Sequence, residues 1–446
     1  MVISSIRQRY SLLQRISHQL SERITSLLEI QKRKNTLTVL DGVRAIACLA
    51  VIAFHISADA HIWDIRGLGH LAVSIVMAGD TGVILFFLLS GFLLFLPYAT
   101  SLLYDSAWPS TRHFYLRRAI RILPAYYVSL FLLTWLTHPE YLRPDHLNQF
   151  LLFLTLFMDS SQSTYQQING PYWTLAIEWQ FYLLLPLLAL AMRSLVQHGS
   201  LRRRAWVLLG CLLTVLAWGV VSRYWGLYLF THPTQTWLVP RPVLNIALFF
   251  LYGCGGRDFH GKFLEDFSVG MLAALCYVLA RNSAPTGAFN TMLRKLSPWL
   301  WGGGLLWLLG MALWEASRAN PQMRFLPEAV FSTYMWSRDI AMSLGYGACL
   351  LAILFGCRGL QSMFAWSPLR WVGLISYSLY IWHVPIVQLF RTFVEPSVHY
   401  WPLPVVYGLY WVWVLLVVFP LSLASYLLIE KPWMRLTERL RGGRGE

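Results

Sequence analysis

Charge is scarce in this sequence: 13% of its 446 residues are Asp, Glu, Lys or Arg, while 57% are hydrophobic. In water, so few charged groups could not cover that much apolar surface, which argues against a soluble enzyme. Acidic residues are the rarer sign, 21 against 36 basic ones, for a net charge of +15. The basic residues stand in short clusters between apolar runs, a pattern that membrane topology explains better than nucleic acid does, and no nucleic-acid partner is expected. Cysteine is sparse too. Cys48, Cys211, Cys254, Cys276, Cys349 and Cys357 are scattered with no C-x-x-C pair, so a disulfide-stapled secreted domain is excluded and the thiols read as core fillers. The sequence has no H-E-x-x-H, metal-ligand cluster, G-x-S-x-G elbow or G-x-G-x-x-G turn, so metalloprotease, serine-hydrolase and dinucleotide chemistry lack support and no metal is expected. The stretch from Gly256 to Lys262 imitates a phosphate-binding loop, but Phe263 replaces the required Ser or Thr and no strand precedes it.

What the sequence does hold is a succession of apolar runs. A spanning helix needs about 20 mostly apolar residues, and about ten stretches approach that: 39–58, 81–98, 122–138, 173–192, 205–222, 267–280, 299–314, 339–356, 371–390 and 405–429. Residues 243–253 are too short for a span and read as interfacial or re-entrant. The expected fold is all-α, a polytopic membrane helix bundle of about ten transmembrane helices. With the N-terminus inside, about 25 of the 36 basic residues fall on one side, which places both termini in the cytoplasm. Residues 1–36 carry Ile6, Tyr10, Leu13, Leu20, Ile24 and Leu27 at helical steps among basic residues. They read as a cytoplasmic amphipathic segment on anionic lipid or on the bundle, or as a loose basic tail. Residues 37–435 form the transmembrane domain and 436–446 a basic cytoplasmic tail.

Ionisable side chains inside hydrocarbon are costly, so each one is a candidate for function. The first span holds Asp41, Arg44 and His55. Arg44 and His55 are eleven residues apart, which at about 100° per residue returns to within roughly 20° of one helix face and rises about 16 Å. That face offers a cation in the inner leaflet and an imidazole in the outer half. Asp41 can pair with Arg44 three residues on, a purely structural alternative for both. Glu178, in the fourth span, reaches a depth similar to that of His55 by residue counting, and a carboxylate beside an imidazole fixes its tautomer and raises its basicity. The third span opens with Arg117, Arg118 and Arg121; Arg117 and Arg121 share a face and suit a polyphosphate, although snorkelling topology determinants would look the same. Ser90 and Gly91 read first as small-residue helix packing, and His383, near Tyr380, is the second intramembrane imidazole.

Six stretches then resemble the membrane acyltransferase-3 family, multi-pass enzymes that O-acylate cell-surface glycans and some small molecules. They are Leu40 to Ala45 with His55, Gly82 to Phe92, Arg117 to Pro124, Tyr172 to Tyr182, Ile375 to His383, and Ile429 to Pro432, in the family's order. The resemblance implies transfer of an acyl group, most simply acetyl, from cytoplasmic acyl-CoA to a hydroxyl of an extracytoplasmic glycan or glycolipid, at the plasma membrane. It assigns Arg44, Arg117, Arg118 and Arg121 to the acyl-CoA phosphates and His55 and Glu178 to catalysis. Asp41, Ser90, Trp173, Tyr380 and His383 are the further residues expected to line the substrate path. Ala45 and Thr174 stand where the family often has Gly and Ser. The esterase-like domain that some members append is not expected in this chain, so any division of labour with one would call on a separate protein. The rival reading is a proton-coupled transporter or flippase of an anionic or sugar-containing solute, with His55 and Glu178 as a proton relay. Inverted repeats and paired broken helices, which would favour it, are not found. Partners are membrane lipid and the glycan acceptor; the sequence sets no oligomeric state.

Overall fold

A computed structural model describes residues 37–65, 69–232, 234, 239–253, 261–282, 287–319 and 333–442. The expected amphipathic segment 1–36, Cys254, residues 256–260 of the loop-like stretch and residues 443–446 of the tail lie outside the described residues. Among the described residues every regular element is helical. Helix α1 is Val39–Asp59, and α2, His70–Met77, runs through the tight turn Ala78–Thr81 into α3, Gly82–Tyr104. Then come α4 (Thr111–Thr137), α5 (Leu147–Thr155), α6 (Tyr172–Val196), α7 (Leu201–Thr231), α8 (Arg241–Leu251) and α9 (Leu264–Asn282). The later helices include α10 (Ala288–Ala319), α11 (Tyr334–Phe355), α12 (Arg358–Phe364), α13 (Ser367–Leu374), α14 (Ser376–Phe393) and, after a short turn of helix at Glu395–Val398, α15 (Leu403–Leu436). Helices are the form such apolar runs must take, because within a lipid phase each backbone N–H and C=O has to be satisfied inside its own segment.

Eight of these helices are long and apolar enough to cross a membrane, or nine if the bent pair α13 and α14 counts as one span. The stretch expected to run unbroken over 371–390 is in fact bent by 71° at Ile375. Here Gly373 approaches the backbone of Asp41 so closely that a Cβ would lie 1.9 Å from the Asp41 carbonyl oxygen, and the Ser376 hydroxyl donates to the Gly373 carbonyl (2.8 Å). The remaining expected span, 267–280, lies in α9, whose 19 residues include Glu265, Asp266 and Arg281. So charged a helix is not an apolar span in its own right; it is enclosed by its neighbours. Residues 243–253 fall mostly in α8, too short to cross, as the sequence suggests.

Two features hold α9 in place. Gly91 of α3 and Gly270 of α9 face each other's backbones: a Cβ on either would lie 2.1 or 2.0 Å from the carbonyl oxygen of Phe267 or Leu88. This is the close helix approach that small residues permit. At its start, Glu265 and Asp266 are buried beside Arg223 of α7, which bonds Glu265 and lies 2.8 Å from Asp339 of α11. Arg338 of α11 in turn holds Asp80 at 2.7 Å and Glu315 of α10 at 3.3 Å. Buried charges are tolerated only when paired in this way. The start of α3 packs against the middle of α1, where a Cβ on Gly82 would lie 2.4 Å from the carbonyl oxygen of Ala47. That offset sets the depth of Ser90 and of everything that bonds to it.

Candidate active site

The site is built along α1. Leu40, Val43, Ala47, Cys48, Val51, Ile52 and Ile56 are buried in the core, while Asp41, Arg44 and His55 are only partly covered. The carboxylate expected to pair with Arg44 finds another partner: Asp41 Oδ2 lies 3.7 Å from Arg370 Nε on α13, a residue the sequence reading did not assign to the site. Arg44 remains within electrostatic reach of Asp41, together with Arg118, Arg121 and Tyr182.

Helix α4 is capped by Ser110, whose hydroxyl accepts from the His113 N–H (3.4 Å), and it brings Arg118 and Arg121 within electrostatic reach of Arg44. Arg118 lies over the Tyr182 ring, 5.9 Å from its centroid. Arg117, expected to act with Arg121, stands within electrostatic reach of Tyr98. The three arginines differ in angle around the helix. On a helix Arg121 lies between the other two, about 40° from Arg117 and about 60° from Arg118. The bundle interior falls on the Arg118 side. Arg121 also lies within reach of Glu430, a buried residue of α15 that accepts a bond from Ser378 of α14.

One layer along, Glu178 of α6 accepts from both the Ser90 hydroxyl (2.5 Å) and the Tyr182 hydroxyl (2.5 Å) through the same oxygen. Ser90 is therefore a polar contact of the site, and Gly91 beside it does the packing. The expected pairing of Glu178 with His55 is not made: none of the hydrogen bonds of Glu178 among the described residues reaches an imidazole. Glu178 lies nearer the arginines than residue counting suggested, because Ser90 sits on a helix that starts beside the middle of α1. Tyr182, one turn after Glu178, links the carboxylate to Arg118; its i,i+4 spacing was the signal that could have flagged it.

Next along α6 and α14, the hydroxyls of Thr174 and Tyr380 are hydrogen-bonded at 2.8 Å, and the Phe86 ring lies 5.9 Å from the Tyr380 ring. Trp173 points elsewhere, with its ring 5.6 Å from Phe263 and 6.2 Å from Tyr165. Last come the imidazoles. His55 and His383 have ring centroids 5.1 Å apart; His383 is fully buried and His55 is partly open. The structure thus orders a polar column: Arg44, Arg118, Arg121 and the Asp41–Arg370 pair; then Tyr182, Glu178 and Ser90; then Tyr380 and Thr174; then His383 and His55. Chemically, the first layer suits a polyanion, because guanidinium forks bind phosphate oxygens in two places. The last offers an imidazole base.

Comparison with known proteins fits this arrangement. A family model described as an acyltransferase domain matches residues 37–429. The peptidoglycan O-acetyltransferase OatA of Listeria monocytogenes is 26% identical over 379 residues, covering 78% of this chain and 49% of that protein. The putative peptidoglycan O-acetyltransferase YrhL of Bacillus subtilis is 26% identical over 369 residues, covering 78% of this chain and 48% of that protein. The chain spans about half the length of the curated relatives it matches. No solved structure matches it. Since the family match runs through every residue of the column from Asp41 to His383, the chain belongs to the membrane acyltransferase-3 family.

Proposed function

We propose that this protein moves an acetyl group from cytoplasmic acetyl-CoA to a hydroxyl of an extracytoplasmic glycan of the peptidoglycan class. It would do so in the plasma membrane, with both termini on the cytoplasmic side. The observation that carries the reading is the column itself: a cluster of guanidinium groups at one level of α1 and an imidazole on the same helix about 16 Å further on, a distance an extended pantetheine arm covers. The names of the relatives support acetyl as the group and a cell-wall glycan as the acceptor.

In this reading Arg44, Arg118 and Arg121 hold the CoA phosphates, with Arg370 and Asp41 setting their geometry and Arg117 at the edge. Ser90, Tyr182 and Glu178 line the arm, and Tyr380 and Thr174 flank the thioester. Trp173, off the column beside Phe263 and Tyr165, would serve the acceptor in this reading. His55 takes the proton of the acceptor hydroxyl as its oxygen attacks the thioester carbonyl; the C–S bond then breaks, and the proton passes from the imidazole to the departing CoA thiolate. Such base catalysis contributes about 10²–10⁴-fold. The test uses the full chain in lipid nanodiscs with radiolabelled acetyl-CoA and soluble peptidoglycan fragments. Wild type should label the fragments, and His55→Ala should bind acetyl-CoA without transferring the label. Unimpaired turnover by His55→Ala would remove that residue from the mechanism, and the absence of any labelled glycan would overturn the proposed activity.

A further inference from the structure

Nothing above explains why His383 is a histidine. Its Nδ1 lies 2.8 Å from the Tyr380 carbonyl oxygen and 3.1 Å from that of Leu379. Both atoms are acceptors only, so Nδ1 must carry the proton, and Nε2 is left as a lone pair. That Nε2 is buried and has no hydrogen-bond partner. An unmet acceptor in such a place is expensive unless something donates to it. The ring of His55 is the neighbour placed to do so. Two imidazoles joined by an N–H···N bond of about 2.9 Å need ring centroids about 5 Å apart, and theirs are 5.1 Å apart. His55 itself makes no hydrogen bond among the described residues and is partly open.

His383 is also held unusually firmly. Pro385 has no N–H, so the carbonyl of Ile381 loses its helical partner, and Asn169 Nδ2 supplies the bond instead (2.9 Å). Tyr380 is tied to Thr174, and Trp382 Nε1 donates to Ser425 on α15 (3.0 Å). Three neighbouring residues of α14 are thus pinned to other elements around one imidazole. The charged groups on flanking elements contact neither ring: Asp59 of α1 pairs with Arg391 of α14 at 3.2 Å, Glu395 accepts from Tyr410 of α15, and Glu178 of α6 is bonded to Ser90 and Tyr182.

We propose that His383 is the positioning residue of the transfer step: its Nε2 accepts the N–H of His55, fixing the His55 ring so that its other nitrogen faces the acceptor hydroxyl as the base. When His55 takes the proton, the imidazolium keeps its bond to His383. Here a backbone-anchored neutral histidine does what a carboxylate does for an imidazole elsewhere. The proposal rests on the reading of His55 as base, and the test separates the two.

Two measurements on the full chain in nanodiscs decide it. In the first, acetyl transfer is followed against pH for wild type, His383→Ala and His383→Gln, with acetyl-CoA affinity measured alongside. The alanine variant should lose on the order of 10²–10³-fold in kcat and shift the acid limb of the profile, with donor affinity unchanged. Gln offers an acceptor oxygen in place of Nε2 and should recover at least about tenfold of that loss. In the second, the ¹⁵N spectrum of histidine-labelled protein needs no acceptor: it should show His383 protonated at Nδ1 and His55 in one tautomer, which becomes a mixture in His383→Ala. An unmoved pH limb, a loss that Gln does not relieve, or a His55 tautomer indifferent to His383 would overturn the proposal. Full activity of His55→Ala would instead overturn the reading beneath it.

Discussion

The arginine layer yields the sharpest prediction, because rotation around α4 separates its three arginines. By spacing, Arg117 and Arg121 share a face; in the structure Arg118 and Arg121 lie within electrostatic reach of Arg44, and Arg117 within reach of Tyr98. A hydrogen bond to a charged group contributes about 1.5–3 kcal/mol, which corresponds to roughly 10- to 150-fold in Kd. Arg118→Ala and Arg121→Ala should each weaken acetyl-CoA binding by an amount in that range, and Arg117→Ala by less than about fivefold, since it is turned about 100° around α4 from Arg118, away from the buried side that carries Phe114, Ile122 and Ala125. Titration of the purified chain with acetyl-CoA by calorimetry, at low and high salt, measures this directly. The wild-type affinity should fall as salt rises, and the two strong variants should show a shallower fall. Equal losses for Arg117→Ala and Arg121→Ala, or none for any of the three, would refute the placement of the phosphate site.

Two further outcomes follow from packing. Asn169→Ala should destabilise the protein by about 1–3 kcal/mol by orphaning the Ile381 carbonyl, and the loss should shrink in a Pro385→Ala background, where an N–H returns to that carbonyl; equal losses in both backgrounds by thermal unfolding would show that Asn169 acts otherwise. Gly270→Ala puts a Cβ 2.0 Å from the Leu88 carbonyl oxygen, so α3 and α9 must separate. A loss of about 2–4 kcal/mol is expected in the same assay, and an unchanged melting temperature would contradict the close contact.

Features that repeat along one helix were legible in the sequence. Arg44 and His55 could be placed on one face of α1 from their spacing alone, and the membrane class followed from the apolar runs. What sequence cannot supply is where one helix stands along the membrane normal relative to another. Counting residues from a span boundary puts Glu178 level with His55; the offset start of α3, beside Ala47, brings Ser90 and with it Glu178 nearer the arginines. Periodicity likewise gives the angles among Arg117, Arg118 and Arg121 and not the direction of the bundle centre. Arg370 carries no site signal in the sequence, because its contact with Asp41 depends on the break at Ile375, where Gly373 meets the Asp41 backbone, and composition does not announce that. Glu430 lies in the Ile429 to Pro432 stretch of the family resemblance, and its role comes from Ser378 and Arg121, which only the fold brings to it.

The charged start of α9 bears on how the protein is made. A segment carrying Glu265 and Asp266 partitions poorly from a translocon into lipid by itself. Its counter-charge, Arg223, sits on α7 and is synthesised earlier, whereas Asp339 and Ser343 emerge only afterwards. Biogenesis of this bundle is therefore a cooperative event: α9 can settle into the bilayer only alongside an already inserted α7, and the arrangement is completed when α11 arrives.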